Sequence, residues 1–592
     1  MRSTSLVEAA QADLESVARQ LEQDYPGTNN GMGVSVITLR ASILGNLQSA
    51  LMILIGAAGV LLLISCVNVA NLLLARGASR TREIALRAAL GAGRVRIAIQ
   101  LLTESVVLAL TGAVIGVAGA WVGVRSLGTL GPPALTRYDS LGIDGTVLMY
   151  ALGVSVVTGV LFGFAPALRL GMLDLRAALA EGGRGAGGGK GSGRLRDLLV
   201  IAELTLALVL VVGAGLLARS FSRLQTVDIG FRSENVLAFE LALPVSQYDD
   251  FSQIGDFYTN LLQRLEADPQ VVSTAAASTL PLGPQVDFLI PVTLDGRPAP
   301  LPGEEPQAYL RQVSAGFFAT MRIEIVEGRE FDSNDRQDSP GVAIISEGFA
   351  TRHYADENPI GQSISGIPGQ FGPLGQSFNS EVEIVGVAKD VRFGSVAEAS
   401  PLSIFMPVPQ APFRRMTVLL ETRADPLSLI SVVRREVTAM DSGLALGRVD
   451  SLDRIVAASL AGERFSMILL GLFAVVALVL ASVGIYGVIS YGVKERTTEI
   501  AVRQALGAEP SNILNLILRQ GGRLVGIAIP VGLFIAWASG QVVANQLYEV
   551  SARDPVVFGS VTGVIAVVAA LATLVPALRA MKVSPAEVLQ PD

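Results

Sequence analysis

The sequence predicts a multi-pass α-helical membrane protein made of two homologous helical bundles with an α+β external domain, and three observations predict it. The first is apolar length. The chain has 592 residues, of which 51% are hydrophobic and 16% charged, with a mean hydropathy of +0.51. It contains seven runs near the ~20 apolar residues that cross a bilayer core: 50–74, 106–123, 146–168, 198–217, 465–491, 524–544 and 556–578. The second is repetition. TREIALRAALGA begins at Thr81 and TEIAVRQALGA at Thr498, so that Glu83 and Arg87 match Glu499 and Arg503 at an offset of 416. Asp144 and Arg169 bracket 24 uncharged residues ending in Pro-Ala-Leu, as do Asp554 and Arg579 at an offset of 410. Such an internal repeat marks a duplicated unit. The third is a polar block of ordinary globular composition between the fourth and fifth runs, long enough for one or two lobes with their own cores.

The long runs carry further information. Nothing charged lies between Arg40 and Arg76, or between Arg464 and Lys494. As a helix the second stretch would measure about 43 Å, so both are expected to project past the lipid as stalks. Charge then sets the topology. Arg76, Arg80, Arg82, Arg87, Arg94 and Arg96 face a single acid, Glu83, in one connection, which the positive-inside rule places in the cytoplasm. Alternation puts the basic stretch Arg169 to Arg196 inside and the polar block outside. Arg579 and Lys582 end the chain on the cytosolic side.

This topology puts residues 1–48 outside the membrane, with no basic, apolar leader or spanning helix before them. The expectation is a chain that starts late, residues 1–48 being the C-terminal remnant of a first external domain, with a helix over 6–25 and a strand over 33–39. The first permease half would be 49–181, with three helices and a connection at 76–97. A Gly-rich cytosolic linker fills 182–197, the second half's first helix 198–219, the external domain 220–463, and three more helices 464–592 with a connection at 494–518. In the external domain, 236–243, 271–276, 342–345, 381–387 and 416–421 read as strands. Stretches 251–267, 347–354 and 426–441 carry helical spacing, and 280–284 and 367–377 read as loops.

Several chemistries are excluded. The single Cys66 sits in an apolar run and the single His353 in a polar region, so one chain assembles no disulfide, no Cys/His metal site and no His-based triad. A net charge of −7 argues against nucleic acid. The Gly-rich stretch fails as a phosphate loop, because the position six before Lys190 is Arg184 and Gly191 follows it. It reads as a flexible basic linker. No nucleotide-binding motif, catalytic residue, metal ligand or cofactor site is expected in this chain. Glu203 is the main ionisable residue within a run, a functional suspect by position, although only six residues inside its run it reads as interfacial. The pairs Gly112/Gly116, Gly119/Gly123, Gly159/Gly163 and Gly522/Gly526 offer small-residue contact faces.

The duplicated segment is the candidate functional site. Ile84, Leu86 and Ala89 provide a packing face, and Gly91 can adopt the left-handed cap that ends a helix. Glu83 with Arg87, and Glu499 with Arg503, are i,i+4 pairs contributing only about 0.2–0.5 kcal/mol each. Stability alone hardly requires two copies. A basic juxtamembrane helix touching anionic lipid is one reading; a docking surface for a two-fold symmetric cytosolic partner is the other.

These motifs resemble a known family. The long helix, the TREIALRAALGA or TEIAVRQALGA connection, two further helices and the PALRA-type ending are similar to the FtsX/MacB-type permeases of ABC transporters, in their duplicated orphan form. VSAGFFATMRIEIVEGREF from Val313, VAIISEGFATRHY from Val342, NPIGQSI from Asn358 and EIVGVAKDVR from Glu383 resemble that family's external domain. The resemblance departs at the N-terminus, where the family's first helix and most of its first external domain are missing. It implies a bacterial inner-membrane protein with a periplasmic or extracellular domain, and a separate cytosolic ATPase, expected as a dimer, that carries the ATP and magnesium. It also implies mechanotransmission: the ATPase presses Glu83, Arg87, Leu90, Gly91 and Ala92 and Glu499, Arg503, Leu506, Gly507 and Ala508, and the stalk helices move the external domain. Export or extraction of a peptide, lipoprotein or toxic small molecule would follow. Membrane lipid and a periplasmic adaptor or envelope protein are the other expected partners. The competing readings are an ATP-driven signalling scaffold that switches an envelope enzyme or sensor without transport, and an ion-coupled permease acting alone.

Overall fold

The computed structural model describes residues 2–25, 29, 33–79, 94–130, 142–171, 190–283, 287–298, 300, 304–355, 357–368 and 379–581. Helix α1 (Arg2–Asp24) opens the chain. The expected strand after it does not form. Residues 33–38 run extended, and the Gln11 side chain takes the place of a strand partner, with Nε2 donating to Val34 O and Oε1 accepting from Val36 N at 2.6 Å. Four long helices follow: α2 (Leu39–Ser79), α3 (Arg94–Leu130), α4 (Gly145–Gly171) and α5 (Lys190–Leu224). At 41 residues α2 is about 60 Å long, well beyond its apolar run. Helix α5 begins inside the expected linker and run, because Lys190 to Asp197 is already helical.

The polar block folds as β1 (Val236–Ala242), α6 (Phe251–Glu266), β2 (Val271–Ala277), β3 (Phe288–Pro291), β4 (Thr293–Leu294), β5 (Gln307–Val313), α7 (Phe317–Met321), β6 (Ile325–Gly328), β7 (Val342–Ser346), α8 (Glu347–His353), β8 (Ser363–Pro368), β9 (Asn379–Ala388), β10 (Ser403–Pro407) and β11 (Arg415–Thr422). A 3-10 turn (Pro426–Leu429) then leads into α9 (Ile430–Met440), β12 (Val449–Ser451) and α10 (Leu452–Ser459). The chain ends its described part with α11 (Ala461–Glu495), α12 (Thr497–Ala505), α13 (Pro510–Ala544) and α14 (Pro555–Met581).

Two compact units result, one of residues 1–42 with 226–461, the other of 43–225 with 462–592. The first holds a mixed sheet in the order β12-β1-β11-β2-β5-β10-β7-β9-β8-β4, with β3 on β5 and β6 on β9. Pairs β5/β10 and β7/β9 are parallel, and the other pairings are antiparallel. One core lies under α6 and α9, where Leu237, Phe239, Tyr258, Leu261 and Val433 meet; a second gathers Ile345, Phe349, Ile384 and Ile404. All five expected strands and three helices of the α+β domain are present. The seven strands the sequence left unread include β5, whose Arg311 and Gln312 are buried, and β10, five residues buried on both faces. Neither alternates. The loop expected at 367–377 begins as the end of β8.

The second unit contains the membrane helices. Among the described residues six helices are long and apolar enough to cross a membrane, and α4 contributes the seventh run, apolar over Gly145–Val160. Helices of both halves share one core: Ala57 and Ile64 of α2 pack with Leu208 of α5, Ala477 of α11, Ala528 of α13 and Ile565 of α14. On α11, Ala474, Ala477, Ala481, Gly484 and Val488 are buried at spacings of three and four. On α2, Leu54, Ala57, Ile64, Asn68 and Asn71 follow the same seam. Small residues let backbones approach in lipid, where packing rather than water exclusion holds helices together. The glycine pairs read from the sequence do not supply this. Gly112, Gly116, Gly119, Gly123, Gly522 and Gly526 face open space, whereas Gly159 packs, 3.1 Å from Ala109 and Val106 as judged at its would-be Cβ; the surroundings of Gly163 lie outside what is described.

Candidate coupling site and the helix junction

The first copy of the duplicated segment, with Glu83, Arg87, Leu90, Gly91 and Ala92, lies outside the described residues. In the second copy the expected connection 494–518 is not a loop. It is helix α12 and the first turns of α13, which starts at Pro510, fourteen residues before its apolar run. Pro510 fits that start because its fixed φ suits the first turn and its missing N–H costs nothing there.

Helix α12 is two-sided. Ile500 and Ala501 are buried, Ile500 within the membrane unit's core, and Gln504 Nε2 lies 3.4 Å from Met581 O at the end of α14. The opposite face carries Glu499 and Arg503, which form their i,i+4 ion pair with both side chains about half exposed. Leu506 is 82% exposed. The end is a double-bonded cap: Ala508 N donates to Arg503 O at 2.9 Å and Gly507 N to Gln504 O at 3.0 Å. Gly507 sits at φ +92°, a conformation other residues resist. An isolated leucine side chain is thus held out by a rigid turn, although its own position could have been apolar or polar without altering the cap. Among the described residues no cluster of His, Cys, Asp and Glu could hold a metal ion.

A second polar site appears where the sequence suggested an interfacial residue. Glu203 is 0% exposed. Asn68 Nδ2 donates to its Oε1 and also, at 3.0 Å, to Leu480 O of α11. Gly484 closes the other side: a Cβ there would fall 2.8 Å from Glu203 Cδ and 3.0 Å from Asn68 Oδ1. Asn68 and Gly484 are equivalent under the 416-residue offset, so the related helices α2 and α11 meet at matching positions. No sequence signal announces this contact, because it depends on which helices cross. Toward the start of α5, Arg196 lies over the Tyr491 ring at 4.0 Å, and Asp197 is 3.8 Å from Arg523 of α13. At the other end of α5, Arg219 pairs with Asp554 at 2.6 Å, and Tyr548 N donates to Ser220 Oγ at 2.9 Å.

In the external unit Arg311 and Asp335 are buried charges, and Arg311 is the more deeply buried. Its guanidinium pairs with Asp287 at 2.9 Å, donates to Ser403 Oγ at 3.2 Å and lies 3.4 Å over Phe393. Burial lowers its pKa to about 10, with Asp287 acting in the opposite sense.

The FtsX-like permease C-terminal family matches this chain over residues 55–174 and 471–585. The MacB-like periplasmic core domain matches residues 198–436. The uncharacterized ABC transporter permease YknZ of Bacillus subtilis (strain 168) is 35% identical over 164 residues, 27% of this chain and 40% of that protein. The pyoverdine export ATP-binding/permease protein PvdT of Pseudomonas syringae pv. syringae (strain B728a) is 32% identical over 184 residues, 30% of this chain and 26% of that protein. The chain therefore spans less than half the length of these relatives. The periplasmic region of MacB from Actinobacillus actinomycetemcomitans superposes with a TM-score of 0.26 at 11% identity, over 38% of this chain and 92% of that one. With two FtsX-like matches on either side of a MacB-like periplasmic core in the sequence, the chain belongs to the FtsX/MacB-type permeases of ABC transporters.

Proposed function

We propose that this chain is the membrane subunit through which a separate cytosolic ATPase moves an external domain, for export or extraction of a peptide, lipoprotein or toxic small molecule. The observation that carries this reading is α12: an anchored, capped helix at the foot of the 35-residue α11, presenting Glu499, Arg503 and Leu506 outward. Lipid contact alone needs neither a rigid cap nor a protruding leucine at the turn. By the sequence repeat, Glu83, Arg87, Leu90, Gly91 and Ala92 correspond in the first half to this face, and Gly507 and Ala508 fix the cap of the second copy. A two-fold ATPase dimer would fill both, with ATP and magnesium bound there. A relative named for pyoverdine export supports export as the direction of work. The large domain would face the periplasm or exterior and the C-terminus the cytosol.

The test is co-purification of the tagged full-length chain with an ATPase carrying a nucleotide-binding domain. Glu499→Ala combined with Leu506→Asp, and with Glu83→Ala in the first copy, is expected to lower the recovered ATPase at least tenfold while the melting temperature of the chain stays unchanged. Undiminished recovery would remove the docking role. Retained ATPase with no substrate accumulation in vesicles would favour the signalling scaffold.

A further inference from the structure

We propose that Glu203 is a proton-binding site at the junction of the two permease halves, occupied by a proton in the arrangement seen here. The inference is independent of the ATPase reading. It starts from an accounting of polar atoms. Glu203 Oε1 accepts from Asn68 Nδ2, whereas Oε2 is buried with no hydrogen-bond partner, and on the next turn of α2 both amide atoms of Asn71 are also buried and unpartnered. An ionised carboxylate taken out of water needs a countercharge or several donors. Here it has one amide.

The charged and titratable groups on the packed elements lie elsewhere. On α5, Arg196 stacks on Tyr491 of α11 and Asp197 faces Arg523 of α13. Arg519 of α13 is exposed. On α14, Arg579 donates to Tyr486 Oη of α11 at 2.6 Å. On α2, Cys66 is a half-buried thiol. Among the described residues none of these bonds Glu203.

The geometry selects a proton over a metal cation. Leu480 O can only accept, so Asn68 turns its NH2 group to it, and the same nitrogen serves Glu203. A cation would need acceptor oxygens turned inward, and it would need room. Glu203 Oε2 instead lies against the bare Cα of Gly484, inside the volume a Cβ would take. A neutral acid removes the charge and keeps the Asn68 bond to Oε1. Losing the proton places an uncompensated charge where α2, α5 and α11 meet and drives the junction apart.

Infrared difference spectroscopy of the full-length chain in lipid nanodiscs, wild type against Glu203→Gln, reads the protonation directly. The expected result is a carboxylic-acid C=O band at neutral pH, absent from Glu203→Gln and lost on raising the pH. Asn68→Ala, which keeps the acid, is expected to shift that band upward in frequency. A carboxylate band at neutral pH, disappearance of the C=O band with an ordinary glutamate titration near pH 4.3, or a response to sodium and not to pH would each overturn the proposal.

Discussion

Gly484→Ala probes the closest contact in the membrane unit. The added methyl would sit 2.8 Å from Glu203 Cδ and closer still to Oε2, with Asn68 Oδ1 at 3.0 Å. Ordinary carbon contacts lie at about 3.5–4.0 Å, so the carboxyl must swing by roughly 1 Å or more, and any swing breaks its hydrogen bond from Asn68. Overpacking of this kind costs about 1–3 kcal/mol and the lost bond about 1 kcal/mol more, giving about 2–4 kcal/mol in total. The assay is equilibrium unfolding of the purified chain in mixed micelles, run as a double-mutant cycle with Glu203→Ala. In the Glu203→Ala background the two carboxyl atoms are gone and Asn68 Oδ1 at 3.0 Å, the end of a rotatable side chain, is the remaining close atom, so Gly484→Ala should cost under about 1 kcal/mol. Equal costs in the two backgrounds, or no cost in the wild type, would refute the assignment of Gly484 as the slot that admits Glu203.

Other outcomes follow from the same kind of reading. Gly507→Ala forces a side chain into φ +92° and should cost about 1–2 kcal/mol, with reduced ATPase recovery, as seen by melting and co-purification. Asp287→Ala leaves the Arg311 guanidinium buried without its countercharge; because Asp287 is itself partly exposed, the expected loss is about 3 kcal/mol, measured by chemical unfolding of the external unit's near-UV signal. His353 is held below the usual imidazole range by burial first, then by Arg352 and Arg297. The unfolded chain therefore binds a proton before the folded one as pH falls. The contribution of His353 is complete above about pH 6.5 and declines as the pH drops from there through the folded value. His353→Leu should flatten that part of the stability profile, and an unchanged slope would count against it.

Much of this molecule is fixed by local pattern. Length and hydropathy place the long apolar helices among the described residues, because lipid demands a continuous apolar run with its backbone bonded internally. Duplicated text locates α12, and Leu506-Gly507-Ala508 spells its cap before any neighbour is known. Short runs of strand-forming residues such as β1 and β11 are legible as well, although both strands are buried along nearly their whole length. What the sequence misses depends on partners far away in the chain. Residues 190–197 are polar and 510–523 mix polar and apolar positions, yet both are helical as extensions of α5 and α13. Strand β5 carries an arginine inward because Asp287 and Phe393 are waiting for it. Above all, Glu203 reads as an interfacial acid from its six-residue depth and is fully enclosed instead. Depth along a helix is a one-dimensional quantity; enclosure is decided by Asn68 and Gly484, 135 and 281 positions away, which only the crossing of α2 and α11 brings to it.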